Sequence, residues 1–510
     1  MKRKLLAVVG LLSLSTLGLA ACSANNSSKT DEKLEVVASF YPIYEYTKNI
    51  VGDEGNVELL IKAGTEVHGF EPSTKDIAKI QDADAFVYDD ENMETWVHDV
   101  EEAVDTDKVT FVKATGDMIL APGVAEEEHD HADHDHGEEG HTHELDPHVW
   151  LAPSLAIKLV ENIRDDLKAE FPKSAGAFEK NAAAYIAKLE ELDKEYDTAL
   201  ASPKQTSFVV QHAAFGYLAL EYGLTQIPIA GVSADSEPSA KRLAELAEYV
   251  KANGVKYIYF EENASSNVAK TLANEVGVET AVLNPLESLT EQEMAKGADY
   301  FSVMRDNLKA LLLTTETAGD AIKPEEDKTK TVYKGYFEDK DITDRTLADW
   351  DGDWQSVYPY LVDGTLDPVW DYKAKTGKTM IASEYKDYYT VGYKTDVDNI
   401  IIDGDKNTMT FVRGGEKKTF TYKYVGYEVL TYKKGNRGVR YLFTTDDADA
   451  GEFKNIQFSD HAIAPQDSEH FHIYWGAEDH KVLLEELDNW PTYYETGLTG
   501  REIAQEIVAH

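Results

Sequence analysis

From Leu34 to about Thr315, short apolar runs alternate with amphipathic stretches. VELLIKAG (Val57 to Gly64) reads as a strand, and STKDIAKIQDAD beyond it as a helix. The pattern recurs in SFVVQH (Ser207 to His212) followed by AAFGYLALEYG, and in VKYIYFEE, SSNVAKTLANEVG and ETAVLNP. Apolar runs of strand length separated by helices predict α/β units on parallel sheets. Between the two halves lies KSAGAFEKNAAAYIAKLEELDKEYDTALA (Lys173 to Ala201), without proline and rich in strong helix formers. It predicts one helix of roughly 40 Å at 1.5 Å rise per residue, acting as a stiff spacer between two lobes.

KPEEDKTK (Lys323 to Lys330) is charged and contains proline, as a linker does. Beyond it, Tyr, Thr, Val and Phe alternate with polar residues between turn signals such as DGDKN, GGEKK and KKGNRG. This texture predicts antiparallel strands closing into a small barrel.

Length and charge refine the picture. A chain of 510 residues needs two or three compact units. Its 94 acidic side chains against 50 basic ones give a formal charge of −44. Such a field repels nucleic acid and anionic lipid and concentrates cations. At the start, MKRK, a long apolar stretch and then LAAC (Leu19 to Cys22) have the order of an export signal. The ending resembles a bacterial lipobox, which implies a signal peptide over 1–21, a lipid on Cys22 and a tether over 22–33. Cys22 is the only cysteine, so any transition-metal site must be built from histidine and carboxylate.

Histidine is where the chemistry concentrates. His68 (VHGFEPS), His212 (VVQHAAFGYL) and Glu287 (LNPLESL) each follow a predicted strand, where open α/β sheets place their ligands. His148 (LDPHVWLAP) is a fourth candidate, on chain held extended by Pro147. Three imidazoles and a carboxylate suit four-coordinate Zn²⁺, whereas manganese prefers more oxygen donors. Six further histidines, His129, His131, His134, His136, His141 and His143, lie among carboxylates over 126–144. That stretch has no apolar periodicity and reads as a loop. Its role is either weak capture of zinc for the cleft or none beyond solvation.

HGFEP, DPHVW, QHAAFGYL and NPLE, in this order, resemble the metal-binding solute receptors of ABC importers, the ZnuA-like group. The resemblance covers essentially Leu34 to Thr315, in a domain expected over 34–318. It implies two (β/α)₄ lobes joined by a long helix, with His68, His148, His212 and Glu287 as ligands of Zn²⁺. Farther on, ADWDGDWQSVYPYLVDGTLDPVW (Ala348 to Trp370) and SDHAIAPQDSEHFHIYWG resemble the ZinT family. In the second motif, strand parity turns His470 and His472 to one side with Tyr474, and Phe471, Ile473 and Trp475 to the other. The ZinT resemblance implies a calycin-like barrel over 336–510, after a linker over 319–335, with His461, His470 and His472 as zinc ligands.

Together the two parts are similar to the AdcA-type zinc-binding lipoproteins of single-membrane bacteria. That implies a monomeric, lipid-anchored zinc receptor on the outer face of the plasma membrane. Its partners would be an ABC permease with its ATPase. It would have neither enzymatic activity nor affinity for nucleic acid. Two rival readings are a zinc-dependent hydrolase and an adhesin with a structural metal. Other motifs fail on spacing: TGKT lacks the first glycine of a phosphate loop, GVSADS lacks the second glycine of a nucleophile elbow, and HELDPH has proline where a zinc-protease helix must continue.

Overall fold

A computed structural model describes residues 33–123, 145–231, 240–261, 267–318, 330–433 and 435–509. Cys22, the histidine-rich stretch 126–144 and most of the linker lie outside the described residues.

The first two structural layers are four-stranded parallel sheets. One contains β1 (Leu34–Ala38), β2 (Gly55–Leu59), β3 (Ala85–Tyr88) and β4 (Thr110–Lys113), in the order β2-β1-β3-β4. The other contains β5 (Ser207–Val210), β6 (Thr225–Pro228), β7 (Tyr257–Phe260) and β8 (Glu279–Val282), in the order β6-β5-β7-β8. The central strands are short apolar runs buried along their length, as parallel strands covered on both faces must be. VELLIKAG is strand only as far as Leu59, after which the chain turns toward His68.

The helix Ala175–Leu200 forms as the composition predicts, but it is no bare spacer. Phe178, Ala182, Tyr185, Leu189, Leu192, Tyr196 and Leu200 form a buried stripe at helical spacing. This stripe belongs to the core that runs through both lobes, and Tyr196 donates to the Met304 carbonyl at 2.7 Å. The helix is therefore a packed spine.

Eight antiparallel strands then close a barrel: β9 (Gly352–Ser356), β10 (Asn399–Asp403), β11 (Thr408–Arg413), β12 (Glu416–Thr431), β13 (Arg437–Thr445), β14 (Asn455–Ser459), β15 (His470–Gly476) and β16 (Thr492–Glu495). Closure pairs β9 with both β10 and β16 and so removes the exposed edges. Alternate residues fill the interior, among them Trp354, Ile400, Phe411, Tyr441, Phe458, Phe471 and Ile473. His470 and His472 lie between these positions and take the outer wall, beneath helices packed outside the barrel.

The barrel module touches the lobes directly. The Gln505 side chain exchanges two hydrogen bonds with the Leu120 backbone, at 2.8 and 2.9 Å, and Arg501 donates to the Met118 carbonyl. Lys375 pairs with Glu221. Among the described residues, no helix is long and apolar enough to cross a membrane.

Candidate metal centres

Four loops converge where the two parallel sheets face each other. His68 follows β2, His212 follows β5, Glu287 follows β8, and His148 stands just before the helix Pro153–Glu170. Glu287 Oε1 lies 3.7 Å from His68 Nε2 and 3.6 Å from Nε2 of both His148 and His212. The last two nitrogens are 3.4 Å apart. Zinc bonds of about 2.0–2.1 Å in a tetrahedron put donors roughly 3.3–3.4 Å apart. The spacing thus matches one ion at the centre, with a slight contraction.

Buried polar atoms normally find partners. Here His68 Nε2 and Glu287 Oε1 are buried without a hydrogen bond, both aimed at the common point. Their opposite sides are fixed. Asp146 Oδ1 accepts from both the backbone N–H of His148 (3.0 Å) and its Nδ1 (2.8 Å), and Glu261 holds Nδ1 of His212. Each carboxylate leaves Nε2 to face the common point, the arrangement found behind metal-binding histidines.

Glu287 is aimed by the turn before it. Leu286 sits at φ 58°, a strained conformation for a branched residue. Its N–H donates to Asn284 Oδ1 at 2.7 Å, while Asn307 brackets the Asn284 backbone with bonds of 2.8 and 2.7 Å. Trp150 Nε1 donates to the Pro285 carbonyl at 2.8 Å, tying the His148 segment to the Glu287 turn.

Electrostatics follow from this packing. Burial alone would lower His212, but Glu261 and Glu287 outweigh it and lift its pKa to about 10. Burial also opposes protonation of His148, and Asp146 and Glu287 raise it nevertheless. Desolvation would raise Glu287, yet the imidazoles of His148, His212 and His68 around it hold it well below the usual carboxylate range.

The second group stands on the outer wall of β15 and in the loop before it. One donor atom from each of His461, His470 and His472 lies within 4.8 Å of the others. His472 Nδ1 donates to Thr492 Oγ1 at 2.7 Å, His470 stacks on Tyr494 at 5.0 Å, and His461 stacks on Tyr333 at 4.4 Å. His461 is at φ 67°, so here too one donor is presented by a left-handed residue. Burial, with His461 and Arg440 adding to it, pushes His472 down to about 3.

The loop that carries His461 is anchored from below. Arg345, fully buried, binds Asp460 through Nη1 (2.7 and 2.8 Å), Asp349 through Nε (2.8 Å) and the Gln466 carbonyl through Nη2 (2.8 Å). Its guanidinium lies 4.0 Å over the Trp350 ring.

All seven candidate residues therefore fall into the two expected groups. What the motifs did not reveal were the partners: Asp146, Glu261, Asn284, Asn307, Arg345 and Tyr333. Asp146 had a visible signal, two residues before His148 in DPHVW. Glu261 pairs with His212 across 49 residues, and no local pattern carries that.

The pKa contrast yields a testable result. Where the metal-free first centre holds a proton on His212, an incoming cation must expel it. For the H461A/H470A/H472A protein, which retains only the first centre, apparent zinc affinity should fall about tenfold per pH unit from pH 8 to 6. An affinity flat over that range would refute the protonated His212.

Fold and geometry define a protein with two candidate metal centres, one between two parallel-sheet lobes and one on the wall of a barrel. The family model for the zinc-uptake complex component ZnuA matches residues 36–312, and that for ZinT (YodA), the periplasmic lipocalin-like zinc-recruitment family, matches 328–510. The chain is 61% identical to the zinc-binding protein AdcA of Streptococcus pyogenes serotype M3, over the full length of both. It is 61% identical to the zinc-binding lipoprotein AdcA of Streptococcus pneumoniae (strain R6), over 98% of this chain and 99% of that one. The crystal structure of Zn(II)-bound AdcA from S. pneumoniae superposes with a TM-score of 0.84 at 59% identity, covering 94% of this chain and all of that one. The chain belongs to the AdcA family, a ZnuA domain followed by a ZinT domain.

Proposed function

We propose that this protein is a cell-surface zinc receptor that captures Zn²⁺ and delivers it to an ABC permease and its ATPase. Its ligands are His68, His148, His212 and Glu287 in the cleft, and His461, His470 and His472 on the barrel. The observation that carries the reading is the cleft itself, with its four converging donors, two of them orphaned, at the spacing of one tetrahedral zinc. Full-length similarity to zinc-binding AdcA proteins supports the choice of metal.

Four protein donors complete the shell of a tetrahedral ion and leave no position for an activated water. The metal in the cleft is therefore cargo, and hydrolysis has no open site there. On this reading the chain divides into a signal peptide (1–21), a lipidated tether starting at Cys22 (22–33), a ZnuA-like domain (34–318), a linker (319–335) and a ZinT-like domain (336–510). The lipid would hold it as a monomer at the outer face of the plasma membrane. The acidic surface favours cations over nucleic acid. The stretch 126–144 would collect zinc loosely and pass it to the cleft.

The test is growth under zinc limitation. A deletion strain should be rescued by the wild-type gene and not by one encoding H68A/H212A. Rescue by both would separate the cleft from delivery and overturn the proposal.

A further inference from the structure

The barrel centre lies in a cavity far larger than one ion requires. Its volume is about 510 Å³, and it opens between the outer barrel wall, the helix Ala382–Tyr393 and the chain around Tyr333. A water molecule takes about 30 Å³ of liquid volume. Three histidines supply three donors, so a four-coordinate ion held by them keeps at least one position for a ligand from outside.

The lining of this cavity is positively charged within a protein of net charge −44. Arg440 is 1% exposed and, among the described residues, no carboxylate makes an ion pair with it, only the longer-range charge of Glu486 acting on it. Its guanidinium is held by Gln457 Oε1 (3.1 Å) and by the carbonyls of Leu483 (3.1 Å) and Glu486 (2.6 Å), and it lies 3.5 Å over the Tyr474 ring. Its Nε has no partner. Lys373, also on the cavity wall, faces the Tyr389 ring at 5.9 Å and likewise has no carboxylate within ion-pair range among the described residues. The carboxylates of Glu469 and Glu506 act on Tyr333 and Tyr494, the rings that stack on His461 and His470, and neither lines the cavity. Cations withdrawn from water without a directly paired counter-charge are costly, and a dication nearby raises that cost. An anion in the cavity would relieve both.

We propose that the barrel centre takes zinc as a chelate with a small carboxylate ligand. Oxygens of that ligand occupy the open positions on the ion, its remaining charge faces Arg440 and Lys373, and its body rests on the tyrosine walls. The cleft centre admits no such ligand, because its four donors, with Glu287 Oε1 3.6–3.7 Å from each imidazole nitrogen, complete the shell. The inference rests on the reading of His461, His470 and His472 as zinc ligands.

Citrate is the probe. Full-length H68A/H212A protein, with its cleft centre silenced, is loaded with zinc and dialysed to equilibrium against radiolabelled citrate. The expected result is about one citrate retained per bound zinc, and none without zinc. Lys373→Met should weaken citrate retention about tenfold while leaving the zinc content unchanged. Retention of the label without zinc, indifference to Lys373→Met, or removal of zinc by citrate without retention of label would each overturn the inference. Failure of the H68A/H212A protein to bind any zinc would instead overturn the assignment of the three histidines.

Discussion

Glu287→Gln should lower zinc affinity at the cleft centre by about two orders of magnitude or more, while the barrel centre still fills. Structural zinc sites supply apparent binding energies of roughly 10–16 kcal/mol, or about 3 kcal/mol for each of four donors. Glu287 contributes more than an equal share. It supplies the only negative charge among the four, and its Oε1 stands 3.6–3.7 Å from three imidazole nitrogens with no other bond. The amide keeps the shape and removes the charge, so the variant separates electrostatics from packing. It also removes the carboxylate that helps lift His212, yet Glu261 remains against Nδ1, so the proton penalty persists without its compensation. Competition with a chromogenic chelator at pH 7.5 gives the affinity. A loss below fivefold would mean that the carboxylate is not a ligand.

The second large effect belongs to stability. Arg345→Ala should destabilise the barrel module by about 3–5 kcal/mol, the usual result of leaving a buried charge without its partner. The side chain of Asp460 is 2% exposed and would lose both of its guanidinium bonds. The Gln466 carbonyl and Asp349 would lose theirs too, and Trp350 the cation over its ring. For a module of this size that corresponds to a fall of roughly 10 °C in the barrel transition. Because Asp460 and Gln466 flank the loop bearing His461, zinc should leave the barrel while the cleft keeps its own. Calorimetry of the metal-free protein, with metal content measured in parallel, checks both halves. A barrel transition unmoved by the substitution would show that the loop is held by something else.

The convergence of the candidate ligands was legible in the sequence because strand ends are legible: His68, His212 and Glu287 each follow an apolar run, and parallel sheets gather such ends into one crevice. His470 and His472 were readable from strand parity, which the structure keeps by turning Phe471 and Ile473 into the barrel. Parity does not say which side is inside, so the placement of the centre on the outer wall was hidden. Composition predicted the helix Ala175–Leu200, but its role as a spine depends on what Tyr185 and Tyr196 touch. The orienting groups were hidden for the same reason. Glu261, Asn307 and Arg345 act on residues 49, 23 and 115 positions away, and a contact of that range is set by the whole fold.

The central claim is that two separate sets of side chains each hold one zinc. Zinc titration of the metal-free protein, with elemental analysis after desalting, tests it most directly. Wild type should retain two ions per chain, H461A/H470A/H472A one, and H68A/H212A one. Loss of both ions in either variant, or two retained in both, would contradict the account.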